Sequence, residues 1–317
     1  MTILFITRKY PPSIGGMQTF SAGFVAAFKT DCTLVYKKFW RSFWLYKNHD
    51  VIHLGDGVLA GLGVILKWYT KKPVTITVHG LDVTYRKWFY QAYIKYCLPK
   101  LDGIMAVSPA TKQAVQTIFP KCQVTVIPNG LNMADWPRGD APRNNHLLFV
   151  GRLVPRKGCA WFVQNVFPKL PDNIILDVIG DGEEYEKLVN IDRVKLHGQV
   201  NDETLKKFYR ESAMLLMPNL VVPGNMEGFG IVAIEAGVCG LPVLAAKLEG
   251  MESIIIDGTT GFLVDSGDVA AWLEKIKALQ QKPLTSVVIQ NEIVKRYNWD
   301  NVKQQYLKIF YGLNTNK

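Results

Sequence analysis

Short apolar runs rich in Val, Ile and Leu recur along the whole chain, separated by longer stretches in which apolar residues return every three or four positions. The first kind suits strands buried on both faces of a parallel sheet, and the second suits the helices that cover it. The runs predict strands at residues 3–7, 33–36, 51–54, 74–78, 103–107 and 124–127, with helices clearest at 17–28, 85–98 and 109–118. Pro128-Asn129-Gly130 breaks the pattern, and a polar stretch follows over 136–145. A second series predicts strands at 146–150, 174–179, 194–196, 214–217, 243–245 and 261–264, with helices at 159–167, 202–210, 230–238 and 268–279. Strand and helix alternate throughout, which argues for two doubly wound α/β domains joined near residue 132. Ligands of such sheets bind beyond the carboxyl ends of the strands, so the expected site is a cleft between the domains.

Length agrees with two domains, since 317 residues exceed the ~250–300 that one core usually serves. The 48% hydrophobic and 20% charged content places the chain among globular proteins and excludes a disordered one. Five scattered cysteines without C-x-x-C spacing suggest a reduced, cytoplasmic protein, with neither a disulfide framework nor a zinc site. MTILFITRKYPP reads as a first buried strand, because a secretory signal has a longer apolar core. The longest apolar run, residues 58–66, falls short of the ~20 residues that span a bilayer. Net charge is +10, and residues 1–132 carry all of the excess, with 16 Lys and Arg against 5 Asp and Glu. Such a field favours an anionic partner: a membrane surface, a phosphorylated acceptor or a nucleic acid.

EGFGIVAIE is the most informative run, with Glu227 before a Gly-aromatic-Gly turn and Glu235 eight positions on, inside a helix. Gly228, Phe229 and Gly230 let backbone approach a ligand, and the helix they open presents free N–H groups suited to phosphate. One carboxylate is placed to accept sugar hydroxyls, the other to hold a ribose. Gly15 and Gly16 similarly open the first helix after PPSI, although a tight turn explains them equally well. His79-Gly80 ends the run VTITVHG at a carboxyl edge, where an imidazole can bond a sugar hydroxyl or simply stay structural. In VGRLVPRKG, Arg152 and Lys157 suit a diphosphate: guanidinium binds oxygens in pairs, and ammonium acts as a point charge. Gly180 and Gly182 close the next strand in VIGDGEEY and again allow close backbone contact, although Asp181-Gly182 is explained equally well by turn chemistry, and LHGQV, ending at Val200, offers backbone atoms to a nucleobase.

In order, the segments YPPSIGGMQTF, TVHG, VSPATK, VIPNG, FVGRLVPRKG, VIGDGEEY, LHGQV, EGFGIVAIEAGVCGLPV, DGTTGFLVDSGD and YNWDNVKQQY resemble the retaining glycosyltransferases of family 4, glycosyl transferases group 1. The resemblance spans nearly the whole chain and implies the GT-B fold, two Rossmann-like doubly wound domains facing a central cleft. It implies an N-terminal acceptor-side domain over 1–132 and a nucleotide-sugar domain over 133–300, with a last helix from about Asn301 packing back on the first. Arg152 and Lys157 would then hold the donor diphosphate, Glu235 the ribose, and Glu227 with the backbone of Gly228 to Gly230 the donor sugar. Gly16 would lie against the diphosphate, and His79 would approach the sugar. The donor would be a UDP- or GDP-linked sugar, transferred with retention. No cofactor or metal is implied, and the chain has no Asp-x-Asp run.

The N-terminal domain is shorter than is common in the family. It carries two basic-aromatic segments, KKFWRSFWLYK at 37–47 and TYRKWFYQAYIKYCLPK at 84–100. Lys37, Lys38, Trp40, Arg41, Trp44, Arg86, Lys87 and Trp88 are candidates for contact with an anionic membrane or acceptor, since cations mixed with large aromatics suit the interfacial layer. The expected function is therefore transfer to a glycan or lipid-linked saccharide in cell-surface polysaccharide or lipopolysaccharide assembly, peripherally on the inner face of the membrane. A sugar-nucleotide epimerase on the same fold is the alternative within enzymes, and would turn over without an acceptor. A nucleic-acid binder using the basic half is the alternative outside them, but it leaves EGFGIVAIE and VGRLVPRKG without a role.

Overall fold

Twelve strands form on the apolar runs in a computed structural model that describes residues 1–12, 15–85, 87–222, 229–248 and 250–315. The chain divides into two units, one of residues 1–132, Phe229 and residues from 297 onward, the other of residues 133–222 and 230–296 as described.

The first unit holds β1 (Ile3–Thr7), β2 (Cys32–Tyr36), β3 (Val51–Leu54), β4 (Val74–Val78), β5 (Gly103–Ala106) and β6 (Val124–Val126) in the order β2-β1-β3-β4-β5-β6. All pairings are parallel. Its helices are α1 (Gly16–Phe28), α2 (Ser42–Leu45), α3 (Ala60–Thr70), α4 (Leu81–Thr84), α5 (Trp88–Cys97), α6 (Pro109–Ile118) and, from the chain's end, α12 (Trp299–Thr315). Alternation along each strand sends Leu4, Ile6, Ile52 and Leu54 to a core shared with α3, α5 and α6, and Ile3, Phe5 and Val51 to one shared with α1 and α12. The second core is aromatic: Phe24 stacks on Phe5 at 4.5 Å, and Tyr306 meets Phe24 edge-on at 5.3 Å. A Cβ at Gly23 or Gly130 would overlap the Trp299 indole, so the Gly of Pro128-Asn129-Gly130 serves ring packing. Buried His53 bonds Thr75 and Thr77 through its two ring nitrogens, and burial pushes its pKa down to about 3, so it stays neutral.

The second unit holds β7 (His146–Val150), β8 (Ile175–Ile179), β9 (Val194–Gly198), β10 (Met214–Met217), β11 (Val243–Ala246) and β12 (Gly261–Val264), ordered β12-β11-β10-β7-β8-β9 and again all parallel. Its helices are α7 (Cys159–Asn165), α8 (Asp202–Glu211), α9 (Ile231–Val238), α10 (Val269–Gln281) and α11 (Ser286–Tyr297). In chain order this sheet reads third, second, first, fourth, fifth, sixth from one edge, the Rossmann order, with its switch point between β7 and β10.

Several boundaries move from those predicted. The helix expected from residue 85 begins at Trp88, because a separate turn, α4, precedes it, and the last helix starts at Trp299 rather than Asn301. The apolar run at 58–66 feeds α3, and α11 lies in a stretch whose weak periodicity did not mark it.

Candidate functional site

In the second unit, backbone hydrogen bonds tie the strand ends together around the switch point. After β7 the loop 151–158 runs beside the ends of β8 and β10. Gly151 N–H donates to Ile179 O (3.0 Å), Leu153 N–H to Asp181 O (2.9 Å) and Gly180 N–H to Gly198 O (2.8 Å). Leu220 N–H, beyond β10, donates to Arg156 O at 2.9 Å. Cβ atoms at Gly158, Gly180 and Gly182 would overlap the carbonyls of Pro218, Gly151 and Leu153, and all three residues have positive φ. These glycines are therefore required by the protein's own strand ends, a demand that acts on Gly180 besides the ligand contact expected of it from sequence. Arg152 is exposed and Lys157 half-buried on this loop, Lys157 closing the turn Pro155–Lys157. Val200 follows Gly198 and is half-buried.

Glu235 is half-buried on α9, and its Oε2 accepts from the hydroxyl of buried Tyr209 on α8 at 3.0 Å. Burial pushes the carboxyl up to about 7, although the Tyr209 hydroxyl favours the charged form. Arg143 holds the ends of these helices together: Nη1 donates to Ser212 O (2.9 Å) and to Tyr209 O and Arg210 O (both 3.2 Å), Nη2 to Cys239 O (3.1 Å). Tyr209 and Arg143 escaped the sequence reading. Helical spacing marks Tyr209 only as inward-facing, and Arg143 is one charge in a polar stretch. Gly230 precedes α9 and packs against the end of the Met251 side chain, while the ring of Phe229 lies 6.1 Å from that of Tyr297. Glu227 and Gly228 lie outside the described residues.

The raised carboxyl has a stability consequence. Its folded pKa of about 7 exceeds the ordinary glutamate value of 4.5, so between those values the folded state keeps a proton that the unfolded state releases. Stability then falls as pH rises through the window, and the full cost is present above it. Glu235→Gln retains an acceptor for Tyr209 without the charge. It is expected to be more stable than the parent by about 2 kcal/mol near pH 8, allowing for partial exposure, and no more stable near pH 4. Melting curves across that range check this, and equal stability at pH 8 would remove the buried-proton account.

In the first unit, His79 follows β4 and is half-buried. Its Nε2 lies 3.0 Å from Gly55 O. A carbonyl only accepts, so Nε2 carries the proton, and Nδ1 is the atom the ring has left to offer a sugar. Asp82 fixes the turn by accepting from His79 N–H and Gly57 N–H, both at 2.8 Å, and burial holds its carboxyl above the usual range. Beside it, Arg8 Nε pairs with the fully buried Asp56 at 3.0 Å, where β1 and β3 end. Gly15 caps α1, its carbonyl accepting from Gln18 and Thr19. A Cβ at Gly16 would meet nothing within 4 Å, so no described neighbour requires glycine there. Lys37, Lys38, Trp40, Arg41, Trp44, Lys87 and Trp88 are all exposed, whereas Phe39, Phe43, Leu45 and Tyr46 of the same segments turn inward. Arg86 lies outside the described residues.

Comparison with known proteins agrees with these two sheets and their strand-end loops. The model for Glycosyltransferase Family 4 matches residues 14–135, and that for Glycosyl transferases group 1 matches residues 144–282. An uncharacterized glycosyltransferase of Methanocaldococcus jannaschii is 30% identical over 278 residues, covering 83% of this chain and 76% of the relative. A phosphatidyl-myo-inositol mannosyltransferase of Mycobacterium leprae is 27% identical over 289 residues, covering 84% and 75%. Among solved structures, Anabaena HepE in complex with UDP superposes with a TM-score of 0.82 at 16% identity, over 98% of this chain and 100% of that one. A lipopolysaccharide outer core galactosyltransferase, WaaB, gives 0.75 at 17% identity, over 98% and 99%. The fold is that of the GT-B glycosyltransferases. The chain belongs to family 4 of these enzymes, the glycosyl transferases group 1, and is a glycosyltransferase.

Proposed function

We propose that the protein transfers a sugar, with retention and without a metal, from a UDP- or GDP-linked donor to a glycan or lipid-linked saccharide in cell-surface polysaccharide or lipopolysaccharide assembly. The observation that carries this reading is the switch point of the second sheet, where glycine-laced strand ends set Arg152 and Lys157 on one loop. Two cations on a backbone-braced loop suit a diphosphate that gains charge as it departs. Glu235, oriented by Tyr209, suits a ribose. The UDP bound in HepE and the phosphatidylinositol acceptor named for the mycobacterial relative support a nucleotide donor and a membrane-linked acceptor. Glu227 and His79 are the side chains assigned to the reacting sugar.

In the transfer the anomeric carbon–phosphate oxygen bond breaks and the acceptor oxygen bonds to the same face of that carbon. The acceptor's proton passes to the departing diphosphate. The protein's share is positioning and charge stabilisation, with no carboxylate pair acting as acid and base. No helix among the described residues is long and apolar enough to cross a membrane. The membrane role assigned to the first unit is accordingly peripheral, through its exposed basic and aromatic side chains on the inner face.

The test is thermal denaturation with UDP, GDP, ADP and dTDP, free and sugar-linked. One base, improved by one sugar, is expected to stabilise the fold by ~2.7 kcal/mol at about 100-fold over its dissociation constant. A folded sample that responds to none of them overturns the donor assignment.

A further inference from the structure

Where α3 ends, the chain turns toward β4 through Lys71, whose φ is +56° and whose N–H returns to Lys67 O at 3.0 Å. This left-handed turn brings Lys67, Lys71 and Lys72 to the amino-terminal edge of the sheet, where Lys100 joins them from the turn after α5. Together they line a hollow of about 560 Å³, within the range of small-ligand sites. Asp102 is the one acidic residue in the lining, and both of its oxygens are engaged: Oδ1 pairs with Lys67 Nζ at 2.8 Å, and Oδ2 accepts from Val74 N–H at 2.9 Å. Three further ammonium groups share the hollow, and no second carboxylate is among the described residues that line it.

Lysines at the end of α3 also complement that helix's dipole, while Lys67 reaches across to the turn after α5 and donates to Lys100 O at 2.7 Å. One or two cations suffice for that purpose. Two of the others lie over rings, Lys100 Nζ 3.2 Å from the centroid of Tyr96 and Lys71 Nζ 5.9 Å from that of Trp68. Those rings point outward: Trp68 is 72% exposed and Tyr96 66%. Ile65 and Tyr69 extend the apolar rim on α3, and Tyr69 touches Phe43 and Tyr46 of the 37–47 segment at 5.5 and 5.8 Å. A concave cluster of ammonium groups edged by exposed indole and phenol rings matches the boundary between lipid headgroups and acyl chains.

We propose that this four-lysine hollow binds the phosphate headgroup of an anionic phospholipid, with Trp68 and Tyr96 seated in the interfacial layer around it. The proposal rests on the membrane-facing reading of the first unit but assigns a discrete site at the amino-terminal edge of the first sheet, whose lining includes none of residues 37–44, 87 or 88.

The test is sedimentation with vesicles of phosphatidylcholine alone or doped with phosphatidylglycerol. The parent is expected to bind only the doped vesicles. K71N/K72Q/K100Q keeps a residue tolerant of the left-handed turn at 71 and removes three charges. It is expected to lose about 100-fold in vesicle affinity, with its melting temperature unchanged. K71R/K72R/K100R should restore binding. K112Q/K121Q/K308Q removes as many charges from exposed or half-exposed positions elsewhere in the same unit and should cost only a few-fold. Equal loss in that control means diffuse attraction and overturns the site. If W40A/W44A loses binding while the hollow variant does not, the site falls and the wider membrane reading stands. If the parent ignores doped vesicles, both fall. Binding of a single-stranded oligonucleotide as tightly as the doped vesicles, abolished by the same Asn/Gln triple, would replace the lipid with a nucleic acid.

Discussion

Gly180→Ala is expected to destabilise the second unit by more than about 3 kcal/mol and to abolish nucleotide binding with it. The residue has φ +132°, a conformation that L side chains rarely adopt, and a Cβ there would overlap the carbonyl oxygen of Gly151. Neither group can step aside cheaply. Gly180 N–H is bonded to Gly198 O, and Gly151 N–H to Ile179 O, so the ends of β7, β8 and β9 are fastened backbone to backbone. Gly258→Ala supplies the comparison, because its φ of +72° is also left-handed but a Cβ there meets nothing within 4 Å. That variant should lose only about 1–2 kcal/mol, the cost of the backbone conformation alone. Urea denaturation of the two separates strain from collision. Equal losses would show that the contact with Gly151 contributes nothing.

On the proposed donor assignment, replacing Arg152 and Lys157 together by alanine is expected to lower kcat/KM by about 10³-fold or more, since each would then remove a charge-assisted donor to the leaving diphosphate. Arg152 is exposed, so its loss should leave folding nearly unchanged, and the fold of the double variant is checked by its melting curve. The discriminating readout is ligand affinity by calorimetry. The nucleoside diphosphate should bind far more weakly, while the corresponding nucleoside should bind as before. A variant that loses both equally would point to a collapsed loop, and one that loses neither would remove these two cations from the site.

The strands were legible because a parallel sheet covered on both faces demands continuous apolar runs with sharp ends. Residues 3–7, 51–54, 74–78, 146–150, 214–217 and 261–264 form strands with the bounds their sequences predict. Helices were less so where periodicity is weak. Segment 37–47 becomes three short turns because its aromatics divide, Phe39 and Phe43 packing inward while Trp40 and Trp44 stand out against each other at 5.4 Å. Composition alone does not sort an inward phenylalanine from an outward tryptophan, since both satisfy the same count. The motif glycines were visible as glycines, yet the reason for several of them was not. Gly158 and Gly180 answer to Pro218 and Gly151, backbone neighbours that the linear order does not reveal.

Local periodicity, turn residues and the ordered motifs thus determined, from the sequence by itself, the α/β class, the strand positions, the family and the residue types available for diphosphate and sugar. Each of these depends on interactions within a few residues or on short ordered patterns. Tertiary structure alone decided which groups meet: Tyr209 with Glu235, Arg143 with the ends of two helices, Arg8 with Asp56, and Lys100 with three lysines at the end of α3 around one hollow. The physical reason is that desolvation, pairing and steric closeness act through space, and the sheet order that brings distant segments together is a property of the folded chain.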